Sequence, residues 1–138
     1  MADNQPLKYT VTHYRQKQHT HEAFINWIVD VHLPTAMPVL KKHGVLEYSL
    51  FVTPAALNGA LKEEVGKFRP TWDFADFDCF IEYTIPDMQT IKNVMGDPDW
   101  AVAIKDQDDW VDMERALVSL GYCTPYLLKT GEVVNLKK

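Results

Sequence analysis

The chain is poor in the residues that build cross-links and metal knuckles. It has two cysteines among 138 residues, Cys79 and Cys123. They stand far apart in apolar, strand-like contexts, so two buried free thiols are expected and not a disulfide framework. No H-x-x-x-H or C-x-x-C pair occurs, and no metal site is expected. There is no basic block or stripe: 14 basic against 19 acidic side chains give a formal charge of −5. Without a concentrated positive field nothing replaces phosphate counterions, so nucleic-acid binding is not expected. Apolar runs fall short of the roughly 20 residues that a membrane helix needs. The polar opening "MADNQPLKYT" lacks an apolar signal core, so a cytoplasmic location without membrane contact is expected. Low-complexity segments and domain-scale linkers are also missing. With 46% hydrophobic residues, one domain over 1–138 with one core is expected.

What is present reads as alternating strands and helices. "LKYTVTHYR" (Leu7 to Arg15) is β-branched, aromatic and alternating, and predicts a first strand. Thr20 opens a helix that Gly44 closes after Lys41 and Lys42. "VLEYSLFVT" (Val45 to Thr53) predicts a second strand, Pro54 to Arg69 a short helix, and "FDCFIEYTI" (Phe77 to Ile85) a third strand. Asp87 caps "MQTIKNVM", and Asp97-Pro98 restarts a helical stretch, "DWAVAIKDQDDWV". "RALVSLGYCTPYLL" (Arg115 to Leu128) predicts a fourth strand. The core thus runs over about 8–128, and 129–138 is a tail.

The order is β-α-β, an insertion, then β-α-β. It predicts an α+β, ferredoxin-like, four-stranded antiparallel sheet with helices on one face. Phe77, Cys79, Ile81 and Tyr83 alternate to one side, and Asp78, Phe80 and Glu82 to the other. A bare, partly apolar face is usually buried by a second copy of the same sheet, so a homodimer is expected.

The stretch "NWIVDVHLPTAMPVL" (Asn26 to Leu40) raises the main chemical question. Ile28, Val31 and Thr35 share a face with Phe24 at helical spacing, as core residues do. His32 lies on the side of Ile25 and Ile28, just before Pro34, and Pro34 frees the Asp30 carbonyl. Histidine is the side chain best suited to exchange protons near neutral pH, which makes His32 a candidate general base. The plainer reading has His32 bonding a backbone group at a kink. His19 and His21 flank the helix start in a polar loop as solvated residues, and His43 suits the negative end of the helix dipole. His13 and Tyr14 alternate in the first strand and must face opposite ways, and polarity does not decide between them.

Aromatic rings form a second constellation: Trp27, Trp72, Trp100 and Trp110, with Tyr14, Tyr48 and Tyr83. They fit a core and interface, and they equally fit a pocket walled for a planar polycyclic ligand. Tyr48 or Tyr83 could support an oxyanion there. Asp78 stands inside the strand pattern, where it could orient His32 or bridge Arg15 or Arg115; the remaining acids are turn and cap residues.

The ordered set of Tyr14-Arg15, "VHLP", Tyr48, "FDCF", "GDPDWA" and "LGYCTPYLLKTGEVV" resembles the EthD domain family over about Lys8 to Val134. Within it the chain is most similar to small fungal dehydratases of aromatic polyketide pathways. The resemblance implies a dimeric α+β barrel, a pocket between sheet and helices, a polyketide substrate and no cofactor. It also implies a catalytic set of His32, Tyr48 and Asp78, and substrate contacts from Tyr14, Trp27, Trp72, Tyr83 and Trp100. One departure is visible: the fungal pattern has Pro-Asp-His ahead of the last strand, where this chain reads Lys105, Asp106 and Gln107. The expected reaction is loss of water from a β-hydroxy ketone or cyclic hemiketal through an enolate. His32 would be the base, with Tyr48 and then Tyr83 as oxyanion donors. An aldol cyclisation would start from the same enolate. A cofactor-free monooxygenase and a non-catalytic binder are the alternatives, and a haem with His32 as axial ligand is the one cofactor case the barrel fold raises.

Overall fold

The computed structural model describes residues 5–137. Residues 1–4 and Lys138, which belong to the expected single domain, lie outside them. Four strands form one antiparallel sheet in the order β2-β3-β1-β4: β1 Leu7–His13, β2 Glu47–Val52, β3 Cys79–Ile85 and β4 Leu117–Gly121. This is the ferredoxin-like arrangement. The helices are α1 His21–Trp27, α2 Leu33–Lys42, α3 Ala55–Phe68, α4 Met88–Met95, α5 Pro98–Ala103 and α6 Gln107–Trp110.

Local chemistry accounts for most of the boundaries. Thr20 Oγ1 accepts the Ala23 N–H at 3.1 Å, Asp87 caps α4 and Asp97 caps α5 ahead of Pro98, each satisfying a helix-end donor. Gly44 takes φ +83° where the first helical run turns into β2, a conformation that favours glycine.

Several sequence expectations are corrected. Strand β1 ends at His13, and Arg15 makes only an isolated bridge to Val111. The stretch after Asp97 is two short helices, and β4 spans five residues rather than fourteen. The pairing ends at Lys8 with Gly121, one residue from the start of β1 at Leu7, so β1 offers β4 at most that one partner residue beyond it. Cys79 is buried as expected, but Cys123 is exposed. Phe77 precedes the strand proper and joins Phe51 and Phe80 on the outer face, away from Cys79. Against the expectation of no membrane-length run, the continuous helical stretch His21–Lys42 has 22 residues, and an 18-residue window within it reaches a mean hydropathy of 1.2. Its apolar stripe of Phe24, Trp27, Ile28, Ala36, Val39 and Leu40 is buried inside the protein.

The most consequential correction lies within that stretch. Between α1 and α2 the backbone forms a π-helical turn over Ile28–His32, with the Leu33 N–H bonded to the Ile28 carbonyl five residues back. A proline ring collides with the carbonyl four residues before it in an α-helix, and widening the turn ahead of Pro34 relieves that collision. The extra residue rotates the faces. Val31 and Thr35 point to solvent, Val31 being 53% exposed, while the buried stripe passes from Ile28 through half-buried His32 to Ala36.

Candidate active site

A cavity of about 320 Å³ lies between the sheet and the helices, at the small end of the roughly 300–1,000 Å³ typical of small-molecule sites. The sheet lines it with Tyr9, Val11, His13, Tyr83 and Ile85. The helical side adds mostly aliphatic residues, among them Leu40, Ile91, Val94 and Met95, together with Trp100 and Gln107. No lining residue carries a formal charge at neutral pH. Direct pairing of Tyr9 with Tyr83 and of Tyr83 with Tyr48 puts all three phenols on the inner face. Tyr9 and Tyr83 stack at 5.4 Å, and Tyr48 meets Tyr83 edge-on at 5.1 Å. Tyr83 lines the cavity; Tyr48 packs behind it, its hydroxyl buried without a partner among the described residues. Burial raises the pKa of both phenols, so both stay protonated donors.

His32 is held by α5. Its Nδ1 lies 3.1 Å from the Ala103 carbonyl oxygen. A carbonyl can only accept, so Nδ1 carries the proton and Nε2 keeps its lone pair. Among the described residues Nε2 has no partner and is not sealed. Burial lowers the His32 pKa, and the bond to Ala103 opposes this without reversing it. The ring stacks on Trp27 at 5.5 Å and meets Trp100 edge-on at 5.9 Å. Trp110 covers the Trp27 indole at 5.5 Å, nearly parallel. Trp27 is thus core and Trp100 wall. His13 also reaches this region, close enough to His32 for their charges to interact.

Three sequence candidates lie elsewhere. Trp72 is 59% exposed, with the Arg69 guanidinium over its ring. Tyr14 follows the end of β1, donates to Asp76 Oδ1 at 2.8 Å and is covered by Arg115. Asp78 makes no bond to His32 among the described residues. Its carboxylate accepts from Arg15 Nη1 at 2.6 Å, the Arg15 backbone N–H at 2.8 Å and His21 Nδ1 at 2.8 Å. It therefore ties the end of β1 to the start of α1: of the two roles the sequence left open, the bridge to Arg15 is the one formed, and the orienting of His32 is not. Neither loop histidine is solvated as expected: His21 is part of this cluster, and His19 stacks on Trp110 at 3.7 Å. Of the lining residues the sequence singled out Tyr83 and Trp100 as a site; the polar ones it missed include Tyr9, His13 and Gln107.

Burial pushes the Asp78 carboxyl up, but the Arg15 N–H, the His21 ring and the Arg15 guanidinium together hold it below its ordinary value. A carboxylate depressed in the folded state stabilises it above the unfolded pKa, and the contribution is lost as pH falls through the folded pKa. Asp78→Asn should therefore cost about 1–3 kcal/mol near pH 7, below the range for a fully buried pair because the Arg15 side chain is 40% exposed. The gap from wild type should narrow in acid, below about pH 3.9. Urea midpoints at the two pH values check this; an equal gap at both would show that the carboxylate's charge is irrelevant.

The fold and the cavity define a ferredoxin-like α+β protein with a half-open, largely apolar site, walled in part by Tyr9, Tyr83 and Trp100, near a tautomer-fixed histidine. Residues 16–114 match the EthD domain family. A protein named dehydratase iacD from Pestalotiopsis fici is 33% identical over 138 residues, which covers 100% of this chain and 99% of that protein. The chain belongs to the EthD domain family. A protein named putative oxygenase from Aspergillus terreus is 27% identical, over 94% of this chain and 81% of that protein. One named decarboxylase nsrE from Aspergillus novofumigatus is 26% identical, over 96% and 87%. Among solved structures, an EthD family protein from Bacillus halodurans superposes with a TM-score of 0.56 at 13% identity, over 86% of this chain and 99% of that one. A protein from Thermobifida fusca, described as dimeric and ferredoxin-like, gives 0.53 at 10% identity over 89% and 95%.

Proposed function

We propose that this protein is a cofactor-independent lyase that eliminates water from a β-hydroxy ketone of an aromatic polyketide, by histidine acid-base catalysis through an enolate. The observation that carries the reading is the His32 Nδ1–H bond to the Ala103 carbonyl. It leaves Nε2 with a free lone pair next to Trp100, a wall residue of the cavity that His32 itself does not line. His32 Nε2 takes the proton α to the carbonyl, and the Tyr83 hydroxyl supports the developing enolate oxygen; Tyr83 takes this role ahead of Tyr48 because it lines the cavity. The β-hydroxyl then leaves as water with the proton from His32. One positioned acid-base group supplies about 10²–10⁴-fold, and aromatisation supplies the driving force.

A β-hydroxytetralone tests this, because its dehydration gives a fluorescent naphthol. The wild-type protein without added cofactor should release naphthol without consuming oxygen or releasing carbon dioxide. Tyr83→Phe should lower kcat about 10–100-fold as one oxyanion donor is lost. Oxygen uptake at one per turnover would favour the reaction in the name of the Aspergillus terreus relative and overturn the elimination.

We also propose that the outer sheet face is covered by a second copy, in a C2 dimeric barrel. Phe51, Phe77 and Phe80 cluster there, beside Leu117 at 67% exposure, and the Thermobifida fusca protein is described as dimeric. Sedimentation at micromolar concentration should return twice the chain mass. Phe80→Glu should return the monomer by placing a charge in that cluster; a wild-type monomer would remove the barrel.

A further inference from the structure

We propose that His13 is a second catalytic histidine, a neutral hydrogen-bond donor to a substrate oxygen in the cavity, working beside His32 as the proton carrier. This rests on the enolate reading above. Nothing in the strand requires a histidine at this place. The His13 backbone carbonyl accepts the Asp78 N–H at 3.0 Å, and its cross-strand partner is Cys79; an apolar side chain would serve both. The imidazole is 9% exposed, lies in the cavity wall, and its Nδ1 is sealed without a partner among the described residues. Buried polar side chains are normally bonded, so a ring bonded at neither nitrogen within the protein is suited to bond something that enters the cavity.

The surroundings decide its protonation. Cys79 faces it from β3 with a thiol pushed up to about 12 by burial first and Asp78 second. Tyr9 lies four residues back along β1, Gln107 comes from α6, and the other titratable neighbours are Tyr83 in the same cavity wall and His32. The lining holds no carboxylate to stabilise a cation. Burial, and then the neighbouring His32, lower the His13 pKa to about 4. The more buried ring therefore stays neutral, and a proton entering the pair settles on His32. Two titratable groups whose environments pull them apart divide the acid-base roles between them. Nδ1 is closed off, so the N–H is useful only at Nε2.

The step balances within the pair. His32 Nε2 takes the α-proton, and the C–H electron pair becomes the enolate double bond. The carbonyl pair moves onto oxygen, held by the His13 Nε2–H and the Tyr83 hydroxyl. The oxyanion then re-forms the carbonyl, the enolate double-bond pair becomes the new Cα–Cβ double bond, and the Cβ–O pair leaves with that oxygen, which takes the proton from His32 and departs as water. His13 ends as it began.

Two measurements test this on the full chain. In turnover of a β-hydroxytetralone, His13→Leu should lose about 100-fold in kcat, whereas His13→Gln, which offers an amide N–H near the Nε2 position, should stay within about tenfold of wild type. Wild-type rates in His13→Leu overturn the proposal. Nitrogen-15 NMR of the wild type does not depend on any variant folding. It should show His13 as the neutral Nε2–H tautomer down to about pH 5, with that resonance shifting when naphthol is added. Titration of His13 near the ordinary 6.5, or no shift with naphthol, overturns it. If the wild type leaves the tetralone unchanged, the elimination reading fails separately; the naphthol shift then still decides whether His13 donates to a ligand oxygen.

Discussion

Replacing His32 with glutamine should leave a folded protein whose kcat falls at least about 100-fold, with a much smaller change in KM. Glutamine can still donate an amide N–H toward the Ala103 carbonyl, so the π-helical turn keeps a link to α5. What it lacks is a lone pair that takes up a proton near neutral pH. Loss of a base used only in the transition state lowers kcat and kcat/KM together. In the wild type the active form is the neutral ring. Because burial lowers the His32 pKa, activity should fall with decreasing pH through a limb below the ordinary value of about 6.5. A pH–rate profile of kcat checks this. Retained turnover in the glutamine variant would make His32 a residue of the kink and no more.

Trp27→Ala should be the most damaging single truncation near the site. Trp27 is 7% exposed and holds three rings in place: Phe24 at 6.3 Å, His32 at 5.5 Å and Trp110 at 5.5 Å. A buried Trp→Ala change costs about 3–5 kcal/mol, a large part of the roughly 5–15 kcal/mol that holds a domain together. Its indole Nε1 is buried without a partner among the described residues, so losing that N–H itself costs nothing. Trp27→Phe should accordingly keep most of the stability, within about 1.5 kcal/mol. Urea midpoints at unchanged m-value separate the two variants. Equal losses would mean that the indole N–H is bonded after all, through water.

The parts legible in the sequence are those decided within a few residues. Thr20, Asp87 and Asp97 cap their helices with their own side chains, and the alternation in "LKYTVTH" and "FIEYTI" is carried into the sheet without slippage. The missed features depend on register and distance. One extra residue in the turn at Ile28–His32 leaves no mark in hydrophobic spacing, so Val31 and Thr35 read as core although they face solvent. The presence of Pro34 was the available signal. Alternation separated His13 from Tyr14 but did not say which pointed inward. Tyr9 and Val11 share the His13 side and Thr10 and Thr12 the other, and that grouping is the one the fold obeys. Tyr14 lies past the strand's end, where alternation no longer governs direction. Asp78 reads as a strand residue, yet its partners Arg15 and His21 are 63 and 57 positions away, a pairing that only the assembled fold reveals.

Helix α3 has a consequence of its own. Its 14 residues, Ala55–Phe68, bury no side chain, and its side-chain tie to the following segment is the Asn58 amide donating to the Ala75 carbonyl at 3.0 Å. A peptide helix of that length is marginal in water without packing. It can unwind and rewind as a separate cooperative unit, with the sheet and both histidines undisturbed. Within one chain, it is a stretch where a protease would find Lys62 or Lys67, and where added residues would be tolerated.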